Sequence, residues 1–573
     1  MSDFNLGTLD YIAFGVFFLL LCVVGYYSGR REQESSNDYF LAGKKLPWYV
    51  VGGSLVASVN STDHFIGMVG WTVLFGISIG MWSWTLVTDI TLLVFVWVPF
   101  LLASRVFTIP QFLEQRFDRR IRMWFALVTI LLNVFNFMAA VLYTGGLAIE
   151  QLFGWDIVVA IIVLGVVAGM WSVYGGLSSV AWTDTFNLVI MLLGGSAVVY
   201  FGLNALGSDS VTDGFRIMLE RNQAEDGIYA EAVAKHQSVM TEAQDYNRLS
   251  VLQPADHLAS PTLGMILSSL SVGIWFNVMN QFVIQRVLGA KDAYHARMGL
   301  VFSGLLTLVI PFIIVIPGLV IFAMHPEILL GDWGQAQTDA DRSYVKLIQE
   351  ILPVGVRGLF LAALFGAVQS TVNAVLNSTA TIFTLDIYKE RINKNADDKK
   401  LVKVGVYSSV VTLLIAIVIG VAVSHSEVSI FYYMQILNAF FAAPFAAIFM
   451  MGVLWKRMNA RGAVWALLAG FAAAALLKVA PEYIEGFPRW AETILNQAGL
   501  VLIVSVLAGI AGSLSSPPPT AEQTPASLIF SWSNPILREG FGTRLLTNVV
   551  FWWVVMLLLF GVIVLVFSPV FFG

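Results

Sequence analysis

Gly52-Gly53-Ser54-Leu55-Val56-Ala57-Ser58-Val59-Asn60-Ser61-Thr62-Asp63-His64-Phe65-Ile66-Gly67-Met68 is the stretch on which the reading of the whole chain turns. It lies inside an otherwise apolar run from Val50 to Phe75, and five consecutive polar residues, Asn60 to His64, fall near its middle. Near the centre of a bilayer one Asp alone costs about 2.5–3.5 kcal/mol on insertion scales. A continuous lipid-facing helix does not accommodate Asp63 and His64 there; a helix broken at that point and lining a wet cavity does. The break frees backbone carbonyls to hold a cation and lets a half-helix N-terminus face a polar solute group. Helix-to-helix hydrogen bonding is the competing use of such residues, but five in succession exceed what packing requires.

Outward from this segment the chain is apolar almost throughout. Of its 573 residues 58% are hydrophobic and 12% charged, a composition that no soluble domain of this length needs. Runs of about 20 apolar residues, each long enough to cross about 30 Å of hydrocarbon, recur from Leu9 to Phe567. They predict an all-α membrane protein of about 14 spans. The net charge of −5 and the lack of a basic soluble module argue against a nucleic-acid partner. The lone Cys22 excludes an internal disulfide, a zinc cluster of cysteines and an iron–sulfur centre. The first run follows no basic segment and reads as a retained helix rather than a cleaved signal.

Charge placement orients the spans. With the N-terminus outside, alternate loops fall inside and hold 23 of the 32 lysines and arginines, among them Arg116, Arg122, Arg286 and Arg297. The acidic stretch 207–261 then lies outside, as does the C-terminus. The location expected is the cell inner (plasma) membrane, with the lipid bilayer as surroundings. The Ser515-Pro519 stretch reads as a linker before a peripheral last helix.

Two other spans are polar inside. The seventh carries Asn277, Asn280 and Gln281 within an aromatic stretch. It lies five helices after the first interrupted span, the spacing that a pair of inverted five-helix repeats would produce; interhelical bonding by amides explains any one of these residues equally well. The ninth carries Gln369-Ser370-Thr371-Val372-Asn373 and then Asn377-Ser378-Thr379. Hydroxyls joined to carbonyls suit a small monovalent cation, whereas a divalent ion would want more carboxylates. Bonding of the hydroxyls back to their own helix is the commoner role. Asp89 faces a cavity or another helix, and Asp184 reads as an acid at a helix N-terminus. No phosphate loop, zinc-protease motif or nucleophile elbow is present, so the chain does not read as an enzyme; without an ATP motif, work must come from an ion gradient.

Four segments resemble the sodium–solute symporter family and, within it, the sodium/glucose and bacterial sodium/galactose branch. They are Ser54 to Met68; Tyr174-Gly175-Gly176-Leu177-Ser178-Ser179-Val180 through Asp184; Asn280 to Arg286; and Asn377 to Tyr388. The resemblance runs from about Leu9 to about Leu514. It implies a leucine-transporter-like core of two inverted five-helix repeats, at 50–206 and 263–454. Outside these lie an extra helix (1–49), an outer loop (207–262) and a C-terminal region (455–573). It also implies a cotransported sodium ion, with no organic cofactor, held by carbonyls of Ala57, Asn60 and Ala367 and hydroxyls of Ser370 and Thr371. Asp184 would lie on the inner ion path.

For the solute, the resemblance implies contacts from His64 and Gln435, with Met68, Trp82 and Phe431 as outer gate and Phe276 as inner gate. Asp63, Ser83 and Asn277 complete the expected solute set. Three residues depart from the family pattern: Ser83 in place of a Glu, Thr307 in place of a Lys and Gly273 in place of an Asn. The expected cargo is a sugar or another small polyhydroxylated solute. A uronate-like or other organic acid, and a proton in place of sodium through Asp63, His64 or Asp184, are the alternatives. A membrane sensor or a channel is the reading from a different class.

Overall fold

The computed structural model describes residues 6–30, 35–243, 246–424, 430–532 and 534–572, leaving out the side chains of 63, 430–433, 536 and 572. Among the described residues the only β pairing is one bridge, and nearly everything else is helix. Among the described residues twelve helices are long and apolar enough to cross a membrane.

The principal helices are α1 (Thr8–Gly29), α2 (Trp48–Val59), α3 (Val69–Phe75), α4 (Leu86–Leu92), α5 (Arg119–Phe153) and α6 (Ile157–Leu206). They continue as α7 (Thr262–Met279), α8 (Gln281–Leu288), α9 (Ala293–Met324), α10 (Trp333–Ile351), α11 (Val356–Ile382) and α12 (Asp398–Val423). The set closes with α13 (Ile430–Leu454), α14 (Ala460–Tyr483), α15 (Ile494–Leu514) and α16 (Val549–Val566).

Two of the long stretches hold two spans each. Helix α6 has 50 residues, about 75 Å if straight. Gly176, at φ 53° and ψ −148°, breaks it, a conformation closed to residues with a Cβ. Its contacts with α11 show that the chain reverses there. Gly169 meets Leu376 and Leu164 lies beside Val368, whereas beyond the break Asn187 meets Gly366 and Gly194 meets Ala363. The sequence reading placed Asp184 at a helix N-terminus; one glycine makes the turn, so Asp184 instead sits eight residues along a continuing helix. In the same way Gly76, at φ 77°, separates α3 from the span that includes α4. Counted this way, the bundle has about fourteen spans.

The two interrupted spans are broken where the backbone leaves helical geometry. The first opens at Asn60 (φ −93°, ψ 87°) and resumes through a π-helical turn, Asp63–Met68, into α3. The second opens at Asn280 (φ −71°, ψ 119°), between α7 and α8. The two are tied together at one end, because Leu46 before α2 exchanges backbone hydrogen bonds with Gly289 and Lys291 after α8 at 3.2 and 3.0 Å.

The acidic stretch is not a plain loop: it carries helices Val211–Asn222 and Gly227–Met240. Arg116, Arg122, Arg286 and Arg297, assigned by charge counting to inner loops, are all at most 5% exposed. They hold helix ends and carboxylates; Arg116, for example, donates to Gly452 and Trp455 carbonyls at the end of α13. The last helix, α16, is peripheral, touching the bundle through Met556 beside Gly304 and Trp553 on Thr91.

Candidate functional site

The break after α2 leaves the last carbonyls of that helix without intrahelical partners. Asn60 satisfies one, Val56 O, with both its backbone N–H (3.1 Å) and its side-chain amide (2.8 Å). The next two face α11. Ser370 Oγ donates to Ala57 O at 2.8 Å, and Thr371 Oγ1 donates to Ser58 O at 2.9 Å. Ser370 Oγ also lies 3.1 Å from Ala367 O. The hydroxyl of Ser370 is therefore both bonded back to its own helix and reached by the neighbouring one. Oxygens of Ala57, Ala367, Ser370 and Thr371 converge with no charged group among them, beside the non-helical backbone of Asn60. Beyond the break, Thr62 is tied to Thr144 of α5 by a 2.7 Å hydroxyl contact.

One turn below, Ser54 Oγ donates to Asp184 Oδ2 at 2.8 Å and Arg286 Nη2 reaches the same oxygen at 2.8 Å. Asp184 and Arg286 are 0% and 1% exposed. An ion pair this deep survives only with further hydrogen bonds, and these come from Ser54 and from the Phe282 carbonyl.

Above the carbonyl–hydroxyl cluster is a cavity of about 130 Å³. His64, Ser83, Asn277 and Gln435 all line it, as do Met68, Trp82, Phe276, Asn60 and Thr371. Trp82 is held by its indole N–H on Ala259 O at 3.1 Å and stands edge-on to Trp71. Phe276 packs against Phe137 and Phe282, with ring centroids 5.8 and 5.7 Å apart. The side chains of Asp63 and Phe431, both named from the sequence, lie outside the described residues. Asn280 and Gln281 do not line the cavity. Asn280 caps α8 through Phe282 N, and Gln281 bonds Ile109 N and Phe107 O.

Asp89 lines the cavity too and was absent from the expected solute set. It is 3% exposed, and its Oδ2 accepts a 2.8 Å hydrogen bond from Asn277 Nδ2. The available signal was an acid in an apolar span; hydropathy carries no information on which way such a residue points. Asn438, joined to Asn136 at 2.9 Å, is a second polar lining residue that sequence reasoning missed.

Broken helices, carbonyls freed against hydroxyls of a distant helix and a small, largely apolar cavity carrying a few polar side chains within a membrane bundle define a secondary transporter of the leucine-transporter fold. A solved sodium-coupled sialic acid symporter has this architecture: TM-score 0.73, 19% identity, with 90% of this chain and all of that one covered. The model of the sodium:solute symporter family matches residues 39–470. The chain belongs to that family; it is a multi-pass membrane symporter coupled to sodium, not an enzyme.

Among its relatives, the sodium/glucose cotransporter of Vibrio parahaemolyticus is 31% identical over 89% of this chain and 92% of its own. The Homo sapiens sodium/myo-inositol cotransporter is 29% identical over 93% and 77%.

Proposed function

We propose that this symporter carries a neutral polyhydroxylated solute, a sugar or a cyclitol, into the cell with sodium. The observation that carries the reading is the contact of Ser370 and Thr371 with Ala57 O and Ser58 O across the helix break, next to a cavity lined by His64, Ser83, Asn277 and Gln435. The names of the relatives, glucose and myo-inositol cotransporters, agree with a polyhydroxylated cargo.

Sodium binds among carbonyls of Ala57, Asn60 and Ala367 and hydroxyls of Ser370 and Thr371. A cage of neutral oxygens suits a monovalent ion. In its absence the hydroxyls donate to the carbonyls; with the ion bound, those protons turn away and the oxygens face the charge. The ion thereby pins the end of α2 to α11 and fixes the wall that presents His64. Solute then binds against Gln435, Asn277, Ser83, His64 and Asp63, and Met68, Trp82 and Phe431 close over it. Rocking of one five-helix repeat (50–206) against the other (263–454) opens the way past Phe276, and Asp184 lies on the ion's exit. Each ligand favours the same closed state, so each strengthens the other's binding equally. The basic loops support an inner side at their end of the bundle, with the stretch 207–262 facing outward from the plasma membrane.

The test is uptake into liposomes holding purified protein, under an inward sodium gradient, of labelled glucose, galactose, myo-inositol and galacturonate. Sodium-driven accumulation of a neutral member is the expected result. Accumulation that needs no sodium and follows the pH gradient contradicts it.

A further inference from the structure

Asp89 is a buried carboxylate that the cycle above does not use. Its Oδ2 is held by Asn277 Nδ2, while Asp89 Oδ1 and Asn277 Oδ1 have no hydrogen-bond partner among the described residues. Both side chains line the cavity. Among its described lining residues there is no lysine or arginine to compensate the acid. Two neighbouring acceptors, one on a carboxylate, are left without donors in a place where an unmade hydrogen bond is costly.

Gly273 makes the arrangement possible. A Cβ built there would lie 2.5 and 2.6 Å from the two carboxylate oxygens. Any side chain at 273 would push Asp89 out of its place, so the glycine and the acid form one device spanning α7 and α4.

We propose that Asp89 and Asn277 form the specificity-determining solute subsite, taking two adjacent hydroxyls of a neutral polyol, one on Asp89 Oδ1 and the other on Asn277 Oδ1. Asn277 also positions the carboxylate through its amide N–H. The subsite rests on the polyol reading above and deepens it. The fixed acceptors demand donors, so a solute lacking one of the paired hydroxyls leaves an acceptor bare. An anionic solute meets a carboxylate with no counter-charge, which disfavours uronates and other acids.

The experiment measures sodium-driven uptake of myo-inositol and glucose, of singly deoxygenated analogues of whichever is carried, and of galacturonate and glucosamine. Wild type is compared with Asp89→Asn and Gly273→Ala, and radiolabelled sodium binding to the purified proteins is measured without solute. Hydrogen bonds to a charged group predict that KM for the carried polyol rises about ten- to hundredfold in Asp89→Asn. Gly273→Ala raises it likewise by displacing the carboxylate. In both, sodium affinity stays at the wild-type value, and Asp89→Asn loses the discrimination against one deoxy analogue. Wild-type KM in either variant overturns the subsite while the polyol reading stands; if Asp89→Asn does not fold, Gly273→Ala alone decides. Wild-type protein that carries only the acid or only the amine overturns both.

Discussion

Asp184, Arg286 and Ser54 form a closed triangle beneath the carbonyl–hydroxyl cluster, and all three are buried. Removing one partner of such a pair strands the other charge, at a cost of about 3–5 kcal/mol. Arg286→Ala is therefore expected to lower the unfolding temperature of the purified protein markedly, and Arg286→Ala with Asp184→Asn to recover part of the loss. A thermal scan in detergent checks both. On the solute side, Gln435 lines the cavity. A neutral hydrogen bond is worth about 0.5–1.5 kcal/mol, so Gln435→Ala should raise solute KM about three- to tenfold with sodium binding unaltered. The residues of this cavity were partly legible in advance. His64, Ser83, Asn277 and Gln435, named from the sequence and its resemblance, all line one cavity. Asp89 and the Asp184–Arg286 pair were not legible, because their partners lie 188 and 102 positions away along the chain.

At the scale of elements, α3 is only seven residues long and ends at Gly76 under a cap from Arg248 of the acidic stretch. Arg248, 2% exposed, donates to Leu74 O at 2.7 Å and Val73 O at 2.8 Å, and its guanidinium lies 3.9 Å over the Phe322 ring. These bonds satisfy carbonyls that the short helix leaves open. Arg248→Ala should cost about 2–3 kcal/mol of stability, seen as a lower unfolding temperature. The same stretch holds His257, fully buried, whose Nδ1 accepts the Ser260 N–H at 3.0 Å. Burial holds its pKa from the ordinary 6.5 down to about 3. The folded state thus binds fewer protons than the unfolded one in that window. Stability is full above pH 6.5 and is lost as pH falls toward 3; His257→Phe should flatten that part of a stability–pH curve. Gly176→Ala is expected to abolish folding, since φ is 53° and the new Cβ would meet Tyr39 O at 2.3 Å; size-exclusion profiles of the solubilised protein report it. The helix break at Asn60 was legible because polarity interrupts an apolar run. The turn at Gly176 was not, since a reversal made by one residue leaves no polar gap, and Asp184 read as the start of a helix that in fact begins its turn eight residues earlier.

The whole molecule is a bundle with two broken helices, joined where Leu46 pairs with Gly289 and Lys291, and each held to α11, the first through Ser370 and Thr371 and the second through Gln285 on Thr381. On the proposed cycle this links sodium to solute: an ion held at the end of α2 would fix the break after it, and the turn beyond that break carries His64, which lines the cavity. The overall span count and the membrane class followed from composition and spacing, because a bilayer imposes length and polarity on every segment. The detailed packing did not, because apolar helices carry no label for their neighbours. The central claim, that sodium is held between the end of α2 and the hydroxyls of α11, is tested most directly by initial uptake rate against sodium concentration in proteoliposomes carrying Thr371→Ala. An oxygen contact to a charge is worth about 1.5–3 kcal/mol, so half-saturating sodium should rise about tenfold or more. Half-saturation at the wild-type concentration contradicts the account.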